Sequence, residues 1–275
     1  MCLVKHGVCN MLDKWYKDVK SNDFLFEIGA GNVPTHFGVF KFGENDAVPT
    51  SPGATMYDGL ALGGTSLIPH LNDGVEQIFQ IVGGTNDTAL GTGARTIRIY
   101  GLKANKEWQV EDIVMNGTTN VPTVGKYWRI FRMRVLTSGT RSGASANITA
   151  SYDGDVYAGM VAGNNTTMMA VFTIPAGYKG LLLDAHVHAG AKTIDFSLKT
   201  RAFGGPVIVK RRAKGVVLGD SHLDYKIPRS FAAGTDIEIE AVAASPPAGE
   251  TSADFTLVLI KLNNDVKSLT DSPTI

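Results

Sequence analysis

The stretch that decides the fold is GTGARTIRIYGLKANKEWQVEDIVMNGTT, residues 91–119. In its first half, Ile97 and Ile99 fall on one side of an extended chain, while Thr96 and Arg98 fall on the other. A polar turn containing Asn105 follows, and asparagine tolerates the left-handed backbone that tight turns need. The stretch therefore predicts a two-stranded hairpin whose apolar face must pack against a second sheet.

The alternation slips in the second half of this hairpin. Trp108 and Val110 begin on one face, whereas Ile113 falls on the opposite parity. We expect a β-bulge at residues 111–112, because one extra residue in a strand shifts its register. The polar face of the hairpin shows no convergent set of acid and base groups.

Period-2 alternation recurs along the rest of the chain at hairpin-like spacing. This pattern is typical of a β-sandwich or barrel rather than of βαβ units. The predicted strands are residues 76–82, 96–102, 108–115, 128–136, 146–150, 155–162, 167–174, 180–188, 193–201, 207–218, 235–243 and 254–262.

The chain divides into three parts. Residues 1–62 form an N-terminal arm with one short helix, in which Leu12, Trp15, Tyr16 and Val19 share a helical face. Residues 24–62 are rich in Gly and Pro, with a strand-like core, FGVFKFGEN, at 37–45. A long segment of this kind suggests an arm laid over its own surface or another subunit. Residues 63–262 form the β-sandwich body, either whole or as two sub-sandwiches split near 150–165, and residues 263–275 form a tail.

Composition narrows the class of function. Lys and Arg total 26 and so do Asp and Glu, so a net charge of zero argues against nucleic-acid packing. The N-terminus lacks the apolar core of a signal peptide, and no apolar run is long enough to span a membrane. The two cysteines, Cys2 and Cys9, cannot complete a structural zinc site alone. We expect a chain made in a host cytoplasm.

Several motifs carry a resemblance. They are ND-x-A-x-GTGARTIRIYGL-x-AN, then NGTT and YWRIFRMRVL, with VFKFGENDAV and YDG upstream, and with FTIPAGYKGLLLDAHV, FGGPVIVKRRAKGVVLGDSHLDYKIPRSFAAGTDIEIEAVA and FTLVLIK downstream. Over about residues 37–261 the chain resembles structural proteins of tailed bacteriophage virions. The resemblance implies a mainly β, jelly-roll-like sandwich, often a three-fold assembly, and no catalytic residues. Residues 1–23 have no counterpart in it.

The resulting hypothesis is a non-enzymatic virion protein. The expected role is a capsid decoration, or cement, protein that bridges major capsid subunits as a homotrimer. The expected partners are other copies of itself and the major capsid protein, with no membrane and no nucleic acid. The alternative is a tail, neck or fibre component that contacts host glycan through exposed aromatic side chains. Its candidates, Trp108, Tyr127 and Trp128, are expected to be mostly buried.

Two groups of residues are candidates for partner contact. The first consists of aromatic residues near the N-terminus, since aromatics are enriched at binding hot spots. The second is the basic cluster of the chain, suited to an acidic protein surface or phosphate, or else a solvated hairpin end. The candidates are Trp15, Tyr16, Phe24, Phe26, Lys210, Arg211 and Arg212. No aromatic residue interleaves the basic cluster in sequence, which weakens a single-strand nucleic-acid role.

His186 and His188 lie two apart on a predicted strand, so both point to one face. With His222 or Asp184 they would supply metal ligands, but catalytic zinc takes three protein ligands and this spacing provides two. The competing interpretation is a polar strand face or a subunit contact. If the face is a subunit contact, assembly would be sensitive to pH at about pH 6. We expect no metal and no cofactor.

Overall fold

The computed structural model of the chain describes residues 24–50, 53–57, 72–245 and 249–262. These residues form one short helix and a series of antiparallel strands. They are α1 (Phe24–Gly29), β1 (His36–Val48), β2 (Ala54–Thr55), β3 (Gln80–Val82), β4 (Ala94–Leu102), β5 (Trp108–Val114), β6 (Val121–Pro122), β7 (Arg129–Ser138), β8 (Ile148–Tyr152), β9 (Asp155–Met160), β10 (Val171–Thr173), β11 (Tyr178–Ala189), β12 (Ile194–Arg201), β13 (Val207–Val216), β14 (Gly219–His222), β15 (Arg229–Phe231), β16 (Asp236–Ala243) and β17 (Gly249–Lys261).

The strands form four sheets, arranged like the blades of a four-bladed propeller. Sheet A has the order β1-β17-β11-β14, with β15 also on β11, and sheet B has the order β10-β16-β12-β13, with β2 on β16. Sheet C is β6-β3-β8-β9 and sheet D is β5-β4-β7. The predicted mainly β class is confirmed, and each of the predicted strands overlaps an observed one. The jelly-roll connectivity stays a prediction.

Strand pairing divides the described chain into two groups. Sheets C and D draw on β3–β9, whereas sheets A and B combine β10–β17 with β1 and β2. β1 pairs antiparallel with β17, from His36 opposite Ile260 to Val48 opposite Gly249. This part of the predicted arm therefore lies on the chain's own sheet. The predicted helix with Trp15 and Tyr16, and the tail, lie outside the described residues, and the three-part division stays a prediction.

The hairpin of β4 and β5 is regular. Its register runs without a shift from Thr96 opposite Val114 to Leu102 opposite Trp108, so the predicted bulge is wrong. The apparent slip arises because both faces of the hairpin are partly covered. Ile113 is buried on one face, while the Trp108 ring packs on the other at 5.4 Å from that of Phe131.

β1 is fixed to the body by two features that the sequence did not reveal. A Cβ atom at Gly43 would lie 2.0 Å from the carbonyl oxygen of Met56, so this strand crosses its neighbour too closely for a side chain. Next to it, the fully buried Lys41 Nζ donates to the carbonyl oxygen of Phe131 at 2.5 Å. Burial, aided by the nearby charge of Arg132, holds the pKa of Lys41 well below its usual value.

A buried charge network joins sheet B to sheet D. Arg129 on β7 donates through Nε to Asp236 Oδ1 on β16 at 3.2 Å, and Thr173 Oγ1 donates to the same oxygen at 2.6 Å. Arg201 on β12 donates to Asp236 Oδ2 at 3.0 Å and to Asp73 Oδ1 at 2.9 Å. Arg129 and Asp236 are both nearly inaccessible to solvent. Two guanidinium groups therefore offset two carboxylates where the two sheets meet.

We predict that Asp236→Asn destabilises the fold by about 3–5 kcal/mol, because removing one charge leaves buried guanidinium groups uncompensated. The matched control is Asp112→Asn, which removes the half-exposed pair with Arg98 on the hairpin surface. Exposed pairs contribute about 0–1 kcal/mol. Urea denaturation of the two variants measures both free energies of unfolding. Equal losses of stability in the two variants would show that the buried network stabilises the fold no more than an exposed ion pair does.

Glu238 lies on the same face of β16 as Asp236 and is also buried. Its Oε2 atom has no hydrogen-bond partner among the described residues. Burial raises the pKa of Glu238 to about 7, from an ordinary value of 4.5. The charges of Glu240 and Asp236 also raise this pKa, whereas those of Lys199 and Arg201 oppose the shift.

The raised pKa of Glu238 predicts a pH-dependent stability. Between about pH 4.5 and pH 7 the folded state binds the proton more tightly than the unfolded state, so the free energy of unfolding falls as pH rises and then levels off. The total change is on the order of 3 kcal/mol. Glu238→Gln removes this slope and is more stable than the parent at pH 8. Urea denaturation at pH 5 and pH 8 tests this, with Glu250→Gln, an exposed site, as the control. Parallel profiles for parent and Glu238→Gln would disprove it.

Candidate interaction surface

β13 lies at one end of the strand order of sheet B, and both of its faces are open to solvent over residues 207–212. Eight of its ten residues are exposed, although a strand on a core normally alternates between buried and exposed positions. Val207 and Ile208 point to opposite faces and are 46% and 47% exposed. We call this strand the basic edge because cations occupy its centre.

Lys210, Arg211 and Arg212 are all exposed on the basic edge. In the described ranges, no carboxylate lies within ion-pair distance of these three side chains. Lys214 has a loose contact with Asp195, at 3.8 Å and largely in solvent. The register of β13 against β12 shifts between Leu198 opposite Arg211 and Lys199 opposite Val209, so Lys210 is an extra, bulged residue. The cations are therefore free to meet an outside partner.

A cleft of about 610 Å³ lies beside the basic edge. Its wall includes Lys210, Asp224, Tyr225, Ile227 and Arg229. The guanidinium carbons of Arg211 and Arg229 each lie 5.7 Å from the centre of the Tyr225 ring. The fold thus places an aromatic ring within a basic cluster that has none in sequence.

The second surface is α1 and its surroundings. Ile28 is buried against the body, whereas Phe24 and Phe26 are 53% and 71% exposed and Leu25 is similarly open. The Phe24 ring contacts that of His36 edge-on, with centroids 5.7 Å apart. Contiguous exposed apolar side chains of this kind often mark interaction sites. We call residues 24–26 the aromatic surface.

The candidates for a glycan platform occupy other positions. Tyr127 and Trp128 are buried, and Trp108 is partly buried against the core. The expectation that most of these residues are buried is therefore confirmed. Among the residues that the structure describes, no helix is long and apolar enough to cross a membrane.

The histidines lie on the outward face of sheet A. His188 Nδ1 lies 2.7 Å from Asp220 Oδ1, and His186 Nδ1 lies 3.2 Å from Asp254 Oδ1. Asp254 is on β17, far from the histidines in sequence, and only the strand register reveals its proximity. Burial raises the pKa of Asp254, although the neighbouring His186 opposes the shift.

No protein-family model and no curated protein matches the chain. Among solved structures it is similar to infectious bursal disease virus, Gx strain, with 11% identity, a TM-score of 0.25 and coverage of 84% of this chain and 73% of that chain. It is similar to the VP2 subviral particle of infectious bursal disease virus, with 10% identity, a TM-score of 0.23 and coverage of 83% and 73%. It is also similar to the PBSX exported protein XepA, with 12% identity, a TM-score of 0.21 and coverage of 78% and 98%. TM-scores of this size do not establish a common fold, so the function is inferred from the residues of this chain.

Proposed function

We propose that the chain is a non-enzymatic structural protein of a virion. Its proposed role is a capsid decoration protein that binds the major capsid protein as a homotrimer. The observation that carries this proposal is the basic edge. Its first residues expose apolar side chains on both faces, and its central cations have no carboxylate partner among the described residues. The resemblance over residues 37–261 supplies the viral setting.

The basic edge has the properties of a docking strand. An end strand exposes backbone donors and acceptors to which an extended partner segment can pair. Burial of Val207, Ile208 and Val209 by a partner would contribute up to about 1.5–3 kcal/mol for each side chain. The adjacent cations select a partner with acidic groups and discourage uncontrolled edge pairing. Since the major capsid protein would present the same surface many times, we assign it as this partner.

The aromatic surface is assigned to contact between copies of the chain. It lies at the start of the described N-terminal segment, within the predicted arm. Aromatic side chains are frequent anchors at such contacts. A trimer carries three basic edges, and several weak contacts on one capsid add through multivalency. Each complete interface would need about 1,600 Å² of total buried area to be of standard size.

A tail, neck or fibre component remains the second candidate function. It requires a platform of exposed aromatic rings for sugar, and the rings proposed for that role are buried or partly buried in the core. Quantitative mass spectrometry of virions that contain the chain separates the two roles. Copy number on the scale of the capsid lattice supports decoration, whereas the copy number of a single tail ring supports the alternative.

We predict that Arg211→Glu with Arg212→Glu weakens binding to capsids at least about tenfold, because charge complementarity becomes repulsion. Co-sedimentation with capsids stripped of this protein measures the affinity. Lys103→Glu with Lys126→Glu is the matched control, since both are exposed cations away from the basic edge and the net charge change is the same. An equal loss of capsid affinity in the control, or no loss in the test variant, would contradict the assignment of the basic edge as the capsid-binding surface.

We also predict that Phe24→Ser with Phe26→Ser shifts the homotrimer to the monomer, because the aromatic surface loses its apolar area. Sedimentation velocity over a range of concentrations measures the change. Leu90→Ser with Val124→Ser is the control, as these two side chains are 90% and 89% exposed, among the most open of the described residues. A parent protein that is monomeric at every concentration would contradict the trimer itself.

A further inference from the structure

The outward face of sheet A gathers metal-ligating side chains from neighbouring strands. Asp184 and His186 both point outward from β11, since Ala185 between them is buried. His186 is in register with Asp254 on β17 on one side and with His222 on β14 on the other. Neighbouring strands lie about 4.8 Å apart, so side chains in one row across the sheet can bind the same metal ion.

The distances suit a single ion. His186 Nδ1 and Asp254 Oδ1 are 3.2 Å apart, and one ligand atom from each of Asp184, His186 and Asp254 lies within 4.8 Å of the others. In a tetrahedral zinc site, nitrogen and oxygen ligands 2.0–2.2 Å from the ion lie about 3.4 Å from one another. The first pair is already close to this spacing, and the third ligand atom lies within 4.8 Å of both.

A second observation points to a cation-binding site. Asp184 Oδ1 is buried and has no hydrogen-bond partner in the part of the chain that the structure describes. A buried carboxylate oxygen without a partner is costly and calls for an explanation. Asp184 also follows a register shift in the pairing of β11 with β17, between Leu182 and Asp184. Bulges that aim a side chain are common beside functional sites.

We propose that Asp184, His186 and Asp254 bind one divalent transition-metal ion, with Zn²⁺ the best fit, on the outward face of sheet A. One imidazole with two carboxylates is a ligand set that zinc accepts, whereas calcium and magnesium prefer oxygen ligands alone. Three protein ligands leave a fourth position open to another ligand. The His222 ring lies beside that of His186, with the two centroids 4.4 Å apart.

The charges of the three side chains agree with a cation site. The carboxylates of Asp184 and Asp254 lie close together in the group, beside the His186 ring. A bound cation would relieve the repulsion between these two carboxylates. It would also tie β17 to β11 near the short end strand β14.

Titration calorimetry of the full-length protein with ZnCl₂, after dialysis against a chelator, tests the site. The protein used in this test carries Cys2→Ser and Cys9→Ser. Without these changes the two thiols, together with His6, could bind zinc separately from the proposed site. The expected result is one Zn²⁺ per chain. His186→Gln and the isosteric Asp254→Asn each weaken binding at least about tenfold, since loss of even an outer-shell partner typically costs that much. MgCl₂ gives no comparable binding.

The control is His188→Gln, which lies on the same face but pairs with Asp220 outside the cluster. It leaves zinc affinity unchanged. Visible absorption of the Co²⁺-substituted protein gives a second readout, because the tetrahedral spectrum appears in the parent and in His188→Gln but not in His186→Gln. Circular dichroism of the metal-free variants establishes that each is folded. The proposal is overturned by absence of saturable zinc uptake, by unchanged affinity in both ligand variants, or by an equal loss in His188→Gln.

Discussion

The salt-bridge network around Asp236 is the interaction on which the rest of the structure depends. Its members come from four strands and a loop, and they meet in the space between sheets B and D. Charges in such a place are tolerated only when each finds a partner of opposite sign with good geometry. The network is satisfied only when both sheets are correctly placed, so it couples the packing of the two strand groups.

The covered and uncovered parts of the molecule have different tasks. Inward side chains such as Phe131 and Phe172 fill a continuous core, where a binding partner cannot reach them. The basic edge and the aromatic surface keep apolar side chains in water, which costs free energy unless a partner covers them. A protein that works by binding other proteins concentrates its binding free energy at such exposed sites. These two surfaces therefore agree with the proposed virion role.

Buried polar residues show where pattern reasoning fails. β16 reads DIEIEAVA, and its alternating acids predict a solvated face. In the structure Asp236, Glu238 and Glu240 are buried, because Arg201 and Lys199 from β12 and Arg129 from β7 lie over them. Alternation predicts the strand, but the burial of its acidic face depends on cations that come from other strands. The short strands β2, β6, β14 and β15 escaped prediction, since two to four residues carry too little periodicity.

The sequence by itself determined the mainly β class, the positions of the long strands, and the exposed basic and aromatic candidates. These properties follow from local geometry, because side chains of a strand alternate between two faces at every step. Only the tertiary structure decided that β1 belongs to the body, that Tyr225 joins the basic cluster, and that Asp254 stands beside His186. Such neighbours are set by the pairing of distant strands, which depends on burial across the whole molecule and leaves no local signal in the chain.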